Sequence, residues 1–434
     1  MTHSHRYSIR GAVVAALVTM VCFAPHKLTA QNGTWVVYDT RTSDIGGNNV
    51  SAVAPDGRGV WVGTYTGLSR LKGAEWMDYS MFNEKLKDQS INCLMVDSRG
   101  VLWIGTDDYG VIEFDGTHWT EYNSETRRLK MKFVKEIVQD RDGVYWIGVT
   151  LGGIVRYDGY TWDKFTPDDC DLLSDFVLDL AVDRANRKWI TTNAGVSVFN
   201  DRQWVSYTVQ NSGLPDDIVP AVAIDKNNVK WFGTLGGLTS FDGEEWRTWN
   251  TANSPLPSNQ INDIAIDQDG LLWLGTNGGV AVFDGVDRWE VFTQKNSQLP
   301  AGNIYKVATD AKGNRWFGND SRGLACLTGY KMPDKAADET AQASTQPQYS
   351  RPEATTVSDE RIRINPYLDE GYVTISTESA QADVMFVNAA GKVVKRVDGY
   401  KNGQRIAINK MPKGMYTVRV KTERGERKIK FNLK

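Results

Sequence analysis

The chain has 434 residues, with 50 Lys and Arg against 53 Asp and Glu, a net charge of −3 and 41% hydrophobic residues. That near balance supplies neither a basic surface for nucleic acid nor a drive toward an anionic membrane. Fifteen Trp, 17 Tyr and 40 Gly describe a β-rich chain with many tight turns, while only four His leave little room for histidine chemistry.

Residues 1–30 read as a signal peptide. Arg6 and Arg10 precede an apolar run from Ala12 to Ala24, and small Ala30 stands before Gln31. No other apolar run approaches the ~20 residues that span a bilayer, so an exported chain without a transmembrane helix is expected. Of the cysteines, Cys22 lies in the leader. Cys93, Cys170 and Cys326 are scattered, which suits apolar fillers better than a disulfide framework.

From Trp35 onward the chain repeats. The phrase Trp61-Val62-Gly63 returns at Trp103, Trp146, Trp189, Trp231, Trp273 and Trp316, in steps of 42, 43, 43, 42, 42 and 43 residues. Such a period, filled with strands, marks propeller blades. In one copy, Ile261 to Asp267 alternates as a strand and Gln268-Asp269-Gly270 turns into the strand Leu271 to Thr276. Asn277-Gly278-Gly279 then leads to Val280 to Phe283, and Asp284-Gly285 to an outer strand around Trp289. A second series, Trp35, Trp76, Trp119, Trp162, Trp204, Trp246 and Trp289, also counts seven but is out of phase. Trp35 precedes the first full unit, and the unit of Trp316 lacks a second Trp. The expectation is an all-β, seven-bladed β-propeller over 31–330, with a strand from 34–39 completing the last blade.

The phrase I-x-x-(I/L)-x-(V/I)-D-x-x-G-x-x-W-I-G-T-x-x-G-(V/L)-x-x-(F/Y)-D-G resembles the two-component regulator propeller repeat. That family forms sensor domains of bacterial kinases and also stand-alone exported proteins. Two departures are Thr191 in place of the glycine, and Ala54-Pro55 where a strand-ending Asp is usual. No kinase motif or membrane helix follows, so the signalling role is not carried over.

Residues 331–359 are polar and non-periodic, as a flexible linker is. From 360 to 434 six short alternating runs predict a small C-terminal β-sandwich. Ile364-Asn365-Pro366, Gly391-Lys392-Val393-Val394, Pro412-Lys413-Gly414-Met415-Tyr416 and Lys430-Phe431-Asn432-Leu433-Lys434 resemble the C-terminal sorting domain of type IX secretion cargo in Bacteroidetes. The resemblance implies the outer-membrane secretion machinery as a partner, and release or attachment at the cell surface.

Candidate chemistry is sparse. Of the four His only His118 lies outside the leader, on a hairpin, which argues against histidine-based catalysis and His-ligated metals. Asp-rich turns such as Asp140-Arg141-Asp142-Gly143 lack the remaining ligands of a calcium loop, so they read as structural turns, and no metal or cofactor is expected. The repeated Trp are architectural, and function is expected where blades differ. Loops joining second and third strands place Tyr65, Asp107, Asp108, Tyr109, Asn193, Asn277, Asn319, Asp320 and Arg322 on one face as candidate ligand contacts. First strands bring Glu136, Asp179, Asp263 and Lys306 to the channel. The favoured expectation is a surface or secreted protein binding a glycan or a surface protein. The alternatives are an accessory of the secretion machinery that binds a surface protein or lipopolysaccharide, and a polysaccharide-acting enzyme using channel carboxylates.

Overall fold

A computed structural model describes residues 33–123 and 131–333, and beyond them 363–367, 372–376, 381–388, 392–401, 404–408, 411–422 and 425–433. The leader and nearly all of the linker therefore lie outside the described residues. Apart from one 3-10 turn at Ser80–Phe82, every described element is a strand.

The ring consists of seven four-stranded antiparallel sheets. Blade 6 runs Ile261–Ile266, Leu272–Thr276, Gly279–Phe283 and Trp289–Phe292, from the channel outward. Blade 7 takes three strands from Ile304–Thr309, Arg315–Asn319 and Leu324–Thr328, and its fourth is Thr34–Tyr38. That strand pairs with Leu324–Thr328 from Thr34↔Thr328 to Tyr38↔Leu324, so the N-terminal segment closes the ring as the out-of-phase Trp series predicts. The first strand of blade 1, Val50–Pro55, packs on Ile304–Thr309 of blade 7.

Each repeated residue has one structural task. The Asp ending a first strand accepts two turn N–H groups through Oδ1 and the indole of its own blade's Trp through Oδ2. At Asp140 the donors are the Asp142 and Val144 N–H at 3.0 Å each and Trp146 Nε1 at 2.9 Å. The indole bond recurs in all seven blades. In blade 1 the carboxylate is Asp56, five residues before Trp61 rather than six, so Ala54-Pro55 displaces the Asp without removing it. Capping a turn while binding an indole leaves these carboxylates committed to architecture.

The indoles fill the gaps between blades. Trp103 stacks on Tyr122 of its own blade at 5.7 Å and on Tyr145 of blade 3 at 4.0 Å. Elsewhere the next blade contributes a cation: Lys188 Nζ lies 4.6 Å from the Trp146 ring and 3.5 Å from Asp140 Oδ2. Lys188 has no exposed side-chain surface, and its ammonium also donates to Asp201 Oδ1 of its own blade at 2.6 Å. Asp140→Ala leaves Lys188 paired with Asp201 but takes the acceptor from two turn N–H groups and the Trp146 indole, so it should destabilise the ring by about 2 kcal/mol, read as a lowered melting temperature, whereas Asp142→Ala at the exposed turn tip should change little.

The glycine after each Trp is required by close approach. A Cβ on Gly63 would lie 2.5 Å from Ile91 Cγ2 of blade 2, and one on Gly318 would lie 2.8 Å from the Val50 carbonyl oxygen. Blade 4 departs, with Thr191 donating through Oγ1 to the Asp179 carbonyl at 3.3 Å.

Beyond the ring, strands Arg363–Tyr367, Tyr372–Ser376 and Ile406–Ala407 form one sheet. Val393–Lys401, Gln381–Asn388, Gly414–Thr422 and Gly425–Leu433 form a second. Val373 and Ile375 of the first share a core with Val384, Phe386, Tyr400, Val418 and Val420 of the second, which makes the predicted sandwich. Cys93 and Cys326 are buried free thiols and Cys170 is half-buried.

Candidate functional site

The channel mouth is built by a backbone irregularity. In six blades the first strand loses register with the second just after its first residue, so one residue is left unpaired: Ser51, Asn92, Lys135, Leu178, Asn262 and Tyr305. Blade 5 has Pro220 there, which cannot donate to the ladder, and its strand begins at Ala221. The residues that follow pair with the glycine or Thr191 of the Trp phrase. They are Ala52, Cys93, Glu136, Asp179, Ala221, Asp263 and Lys306. A bulge in place of strict alternation thus aims two consecutive residues at the axis in blades 3, 4, 6 and 7, and the bulged residue or Pro220 alone in the others.

The result is a pocket of about 320 Å³ with a charged floor and a polar wall. At the floor Lys306 of blade 7 reaches across to blade 3, with Nζ 3.5 Å from Glu136 Oε2 and 3.5 Å from Asp263 Oδ2. Asp263 Oδ2 also accepts the Val307 N–H at 2.7 Å. Asp179 accepts from its neighbour Leu180 N–H at 2.8 Å and from the Val222 N–H of blade 5 at 2.7 Å. Burial pushes the Asp179 carboxyl up to about 8, with the Glu136 and Asp263 charges adding to it and Lys306 opposing it. Glu136 is raised too, first by burial, with Lys306 opposing. The floor therefore holds a proton near neutrality, and Asp179 can donate as well as accept.

Asp179 predicts a pH effect of definite sign. Its folded proton affinity exceeds that of an unfolded Asp, near 4, so the folded ring keeps a proton that the unfolded chain gives up. The associated stability is complete below about 4 and is lost as pH rises from there to about 8. Asp179→Asn should remove this dependence. Melting temperatures of parent and variant should diverge between pH 5 and 9, in the variant's favour at the alkaline end, and parallel curves would contradict the assignment.

The wall is pre-ordered by hydrogen bonds. Asn49 Nδ2 donates to the Asp320 carbonyl, and Asn92 Nδ2 donates to Asp107 Oδ1 at 2.6 Å. Asn262 Nδ2 donates to Asn277 Oδ1 at 2.9 Å and to the Ile304 carbonyl at 3.0 Å, while its Oδ1 accepts Gln260 Nε2 at 3.2 Å. Tyr65 and Tyr305 stand exposed in the same lining. The Tyr65 hydroxyl is raised by burial, then by Tyr305, Asp107 and Asp320 nearby.

The structure sorts the predicted contacts. Tyr65, Asp320, Glu136, Asp179, Asp263 and Lys306 line one pocket, joining the loop and channel groups that the sequence kept separate. Asp107 and Asn277 stand one step back, orienting Asn92 and Asn262. Asp108 pairs with Lys132 at 3.1 Å, and Lys85 Nζ sits 5.1 Å over the Tyr109 ring. Exposed Asn193 and Arg322 lie outside the lining. Asn319 corrects the expectation. It is fully buried, donating to the Ala301 carbonyl at 3.2 Å and accepting the Ser321 and Arg322 N–H. It occupies the place of Thr276, whose hydroxyl closes the same turn onto the Gly279 carbonyl; aligning Gly318-Asn319 with Gly275-Thr276 exposes the equivalence. Sequence reasoning missed Asn92, Lys135, Asn262 and Tyr305, since strict alternation turns the bulged position away from the axis, and Asn49 and Gln260, which stand just before their first strands.

His118 is exposed on its hairpin, with Nδ1 3.2 Å from Asp115 Oδ2. Among the described residues no group of three or more His, Cys, Asp or Glu is placed to hold a metal ion, and no helix is long and apolar enough to cross a membrane.

Two protein families match the chain: the secretion system C-terminal sorting domain over residues 365–434, and the two component regulator propeller over residues 85–108 and 255–278. The sorting domain marks the chain for secretion to the cell surface or outer membrane. No curated protein matches. Among solved structures, the chain is similar to the extracellular domain of a hybrid two component system from B. thetaiotaomicron, at 18% identity and a TM-score of 0.62, covering 92% of this chain and 57% of that one. It is similar to PorZ, an essential surface component of the type-IX secretion system of Porphyromonas gingivalis, at 17% identity and a TM-score of 0.57, covering 92% and 60%. A virginiamycin B lyase from Staphylococcus aureus matches at 13% identity and a TM-score of 0.56, covering 68% of this chain and 98% of the lyase. The chain spans less than two thirds of the length of the first two. At identities of 13–18% these likenesses show the fold alone.

Proposed function

We propose that this secreted propeller takes the end of a glycan into its channel mouth. The observation that carries the reading is the lining itself: two exposed tyrosines beside a wall of hydrogen-bonded amides, above a floor that both donates and accepts. A sugar ring offers hydroxyls in every direction and a C–H face. Asn49, Asn92, Gln260 and Asn262 present amides to the former, and Tyr65 and Tyr305 present ring faces to the latter. About 320 Å³ lies at the small end of ligand pockets, which suits a terminal sugar better than the middle of a chain. A screen of the mature protein against immobilised glycans and surface proteins tests the reading: saturable binding to glycans with shared terminal sugars supports it, and binding to none overturns it.

A second reading is supported by the similarity to PorZ, which extends over 92% of this chain and so takes in more than the ring. On that reading the chain is a resident surface component that docks the secretion apparatus. It calls for stable co-purification of secretion proteins with the mature chain, unaffected by substitutions at Tyr65 and Tyr305.

A further inference from the structure

The Trp–Asp pair of each blade meets one residue of the next blade, the first of its second strand. Round the ring these residues are Leu102, Tyr145, Lys188, Lys230, Leu272, Arg315 and, at the seam where blade 1 meets blade 7, Val60. Three are cations seated in one kind of cradle, formed by the preceding blade's indole face and by the backbone carbonyl two residues before the cation. Lys188 Nζ donates to the Asn186 carbonyl at 3.0 Å, and Lys230 Nζ, 5.2 Å over Trp189, donates to the Asn228 carbonyl at 2.7 Å. Arg315 lies 5.1 Å over Trp273, with Nη1 donating to the Gly313 carbonyl at 2.6 Å and Nη2 to Asp267 Oδ2 at 2.7 Å. Lys188 and Arg315 thus both add the preceding blade's turn Asp as a third wall.

At the seam the corresponding groups are Trp316, Asp310 and the Arg58 carbonyl. Val60 is too short to fill the space between them, and a cavity of about 390 Å³ remains, lined by Val60, Leu71, Asp310, Asn314, Trp316 and Cys326 among others. The Asp310 carboxylate accepts the Lys312 and Asn314 N–H, Asn314 Nδ2 and Trp316 Nε1, all neutral donors. We propose that this seam cavity is a binding site for an alkyl cation, a guanidinium or ammonium on a flexible stem, supplied by a second molecule. The chain's own Arg315 shows the pose: stem against the indole, charge on the turn carboxylate, one N–H on the carbonyl; Lys188 shares the indole and the carbonyl, with its ammonium 3.5 Å from Asp140 and donating to Asp201 of its own blade at 2.6 Å. The exposed side chains of Arg58 and Lys312 stand at the rim and oppose the guest, weakly because water and salt screen them. The site faces away from the channel mouth, on the turns between first and second strands, so it stands apart from the glycan reading.

The test uses the full mature chain, with calorimetry against arginine amide and against Gly-Arg-Gly compared with Gly-Gly-Gly. Millimolar or tighter binding is expected, at least tenfold weaker in Val60→Arg and strengthened when Arg58 and Lys312 are both replaced by Ser. Although Val60 is only 4% exposed, Val60→Arg should fold with a melting temperature at or above the parent's, since it supplies the cation in cis. Tighter binding of Gly-Arg-Gly than of arginine amide identifies a protein side chain as the natural guest, and the reverse identifies a small amine. Equal binding by parent and Val60→Arg, absence of binding at about 10 mM, or failure of both Val60→Arg and Val60→Lys to fold would overturn the proposal.

Discussion

Replacing Trp35 by alanine is expected to lower the melting temperature of the mature protein by about 10 °C, the largest stability effect of any outer-strand substitution. Trp35 is 3% exposed, whereas Trp76, Trp119, Trp162, Trp204, Trp246 and Trp289 at the same blade position are half-buried. Its ring meets Phe292 of blade 6 at 5.4 Å and Phe317 of blade 7 at 5.6 Å. Tyr330 and Met332, from the chain leaving the ring, belong to the same core. One side chain therefore ties both ends of the ring to each other. Truncating a buried Trp costs about 3–5 kcal/mol, and domains of this size shift by about 2–4 °C per kcal/mol. Loss of the whole strand Thr34–Tyr38 would also bare the edge of Leu324–Thr328, so a truncation starting at Thr40 should self-associate as well as melt early. Trp119→Ala, on a half-exposed strand, is the control. Equal melting temperatures for the two substitutions would show that the closing strand carries no special share of stability.

Tyr65→Ala combined with Tyr305→Ala is expected to weaken glycan binding about 100-fold. Each ring offers a flat face to a sugar, worth about 1.5 kcal/mol, and two such losses in one pocket approach two powers of ten. Both side chains are exposed and neither is part of a blade core, so the melting temperature should hold within the error of the measurement. The readout is a titration on any glycan that the parent binds. Unchanged affinity would move the ligand off this face of the ring, while a matching loss of stability would mean that the tyrosines act structurally.

The ring was legible because its constraints repeat. Seven indoles need seven carboxylates at nearly fixed distance along the chain, and a glycine where the next blade's first strand crosses, so architecture writes a period into the sequence. Even the irregular first blade keeps the bond, through Asp56, although its spacing hides it. The mouth was legible only in part. Glu136, Asp179, Asp263 and Lys306 occupy the paired position that alternation identifies. Asn92, Asn262 and Tyr305 owe their placement to a register slip that leaves no mark in residue type. Asn319 misled for the opposite reason. It differs from the threonines of other blades in chemistry, yet performs their task of closing a turn. A departure from a repeat signals function only when the structural duty of that position is met elsewhere.

A structure of the mature protein with a bound glycan tests most directly whether the channel mouth holds the ligand. The expected result is a terminal sugar ring against Tyr65 and Tyr305, hydrogen-bonded to Asn92 and Asn262 above the Lys306–Glu136 pair. Density for the glycan on the opposite face of the ring, or on the C-terminal sandwich, would contradict it.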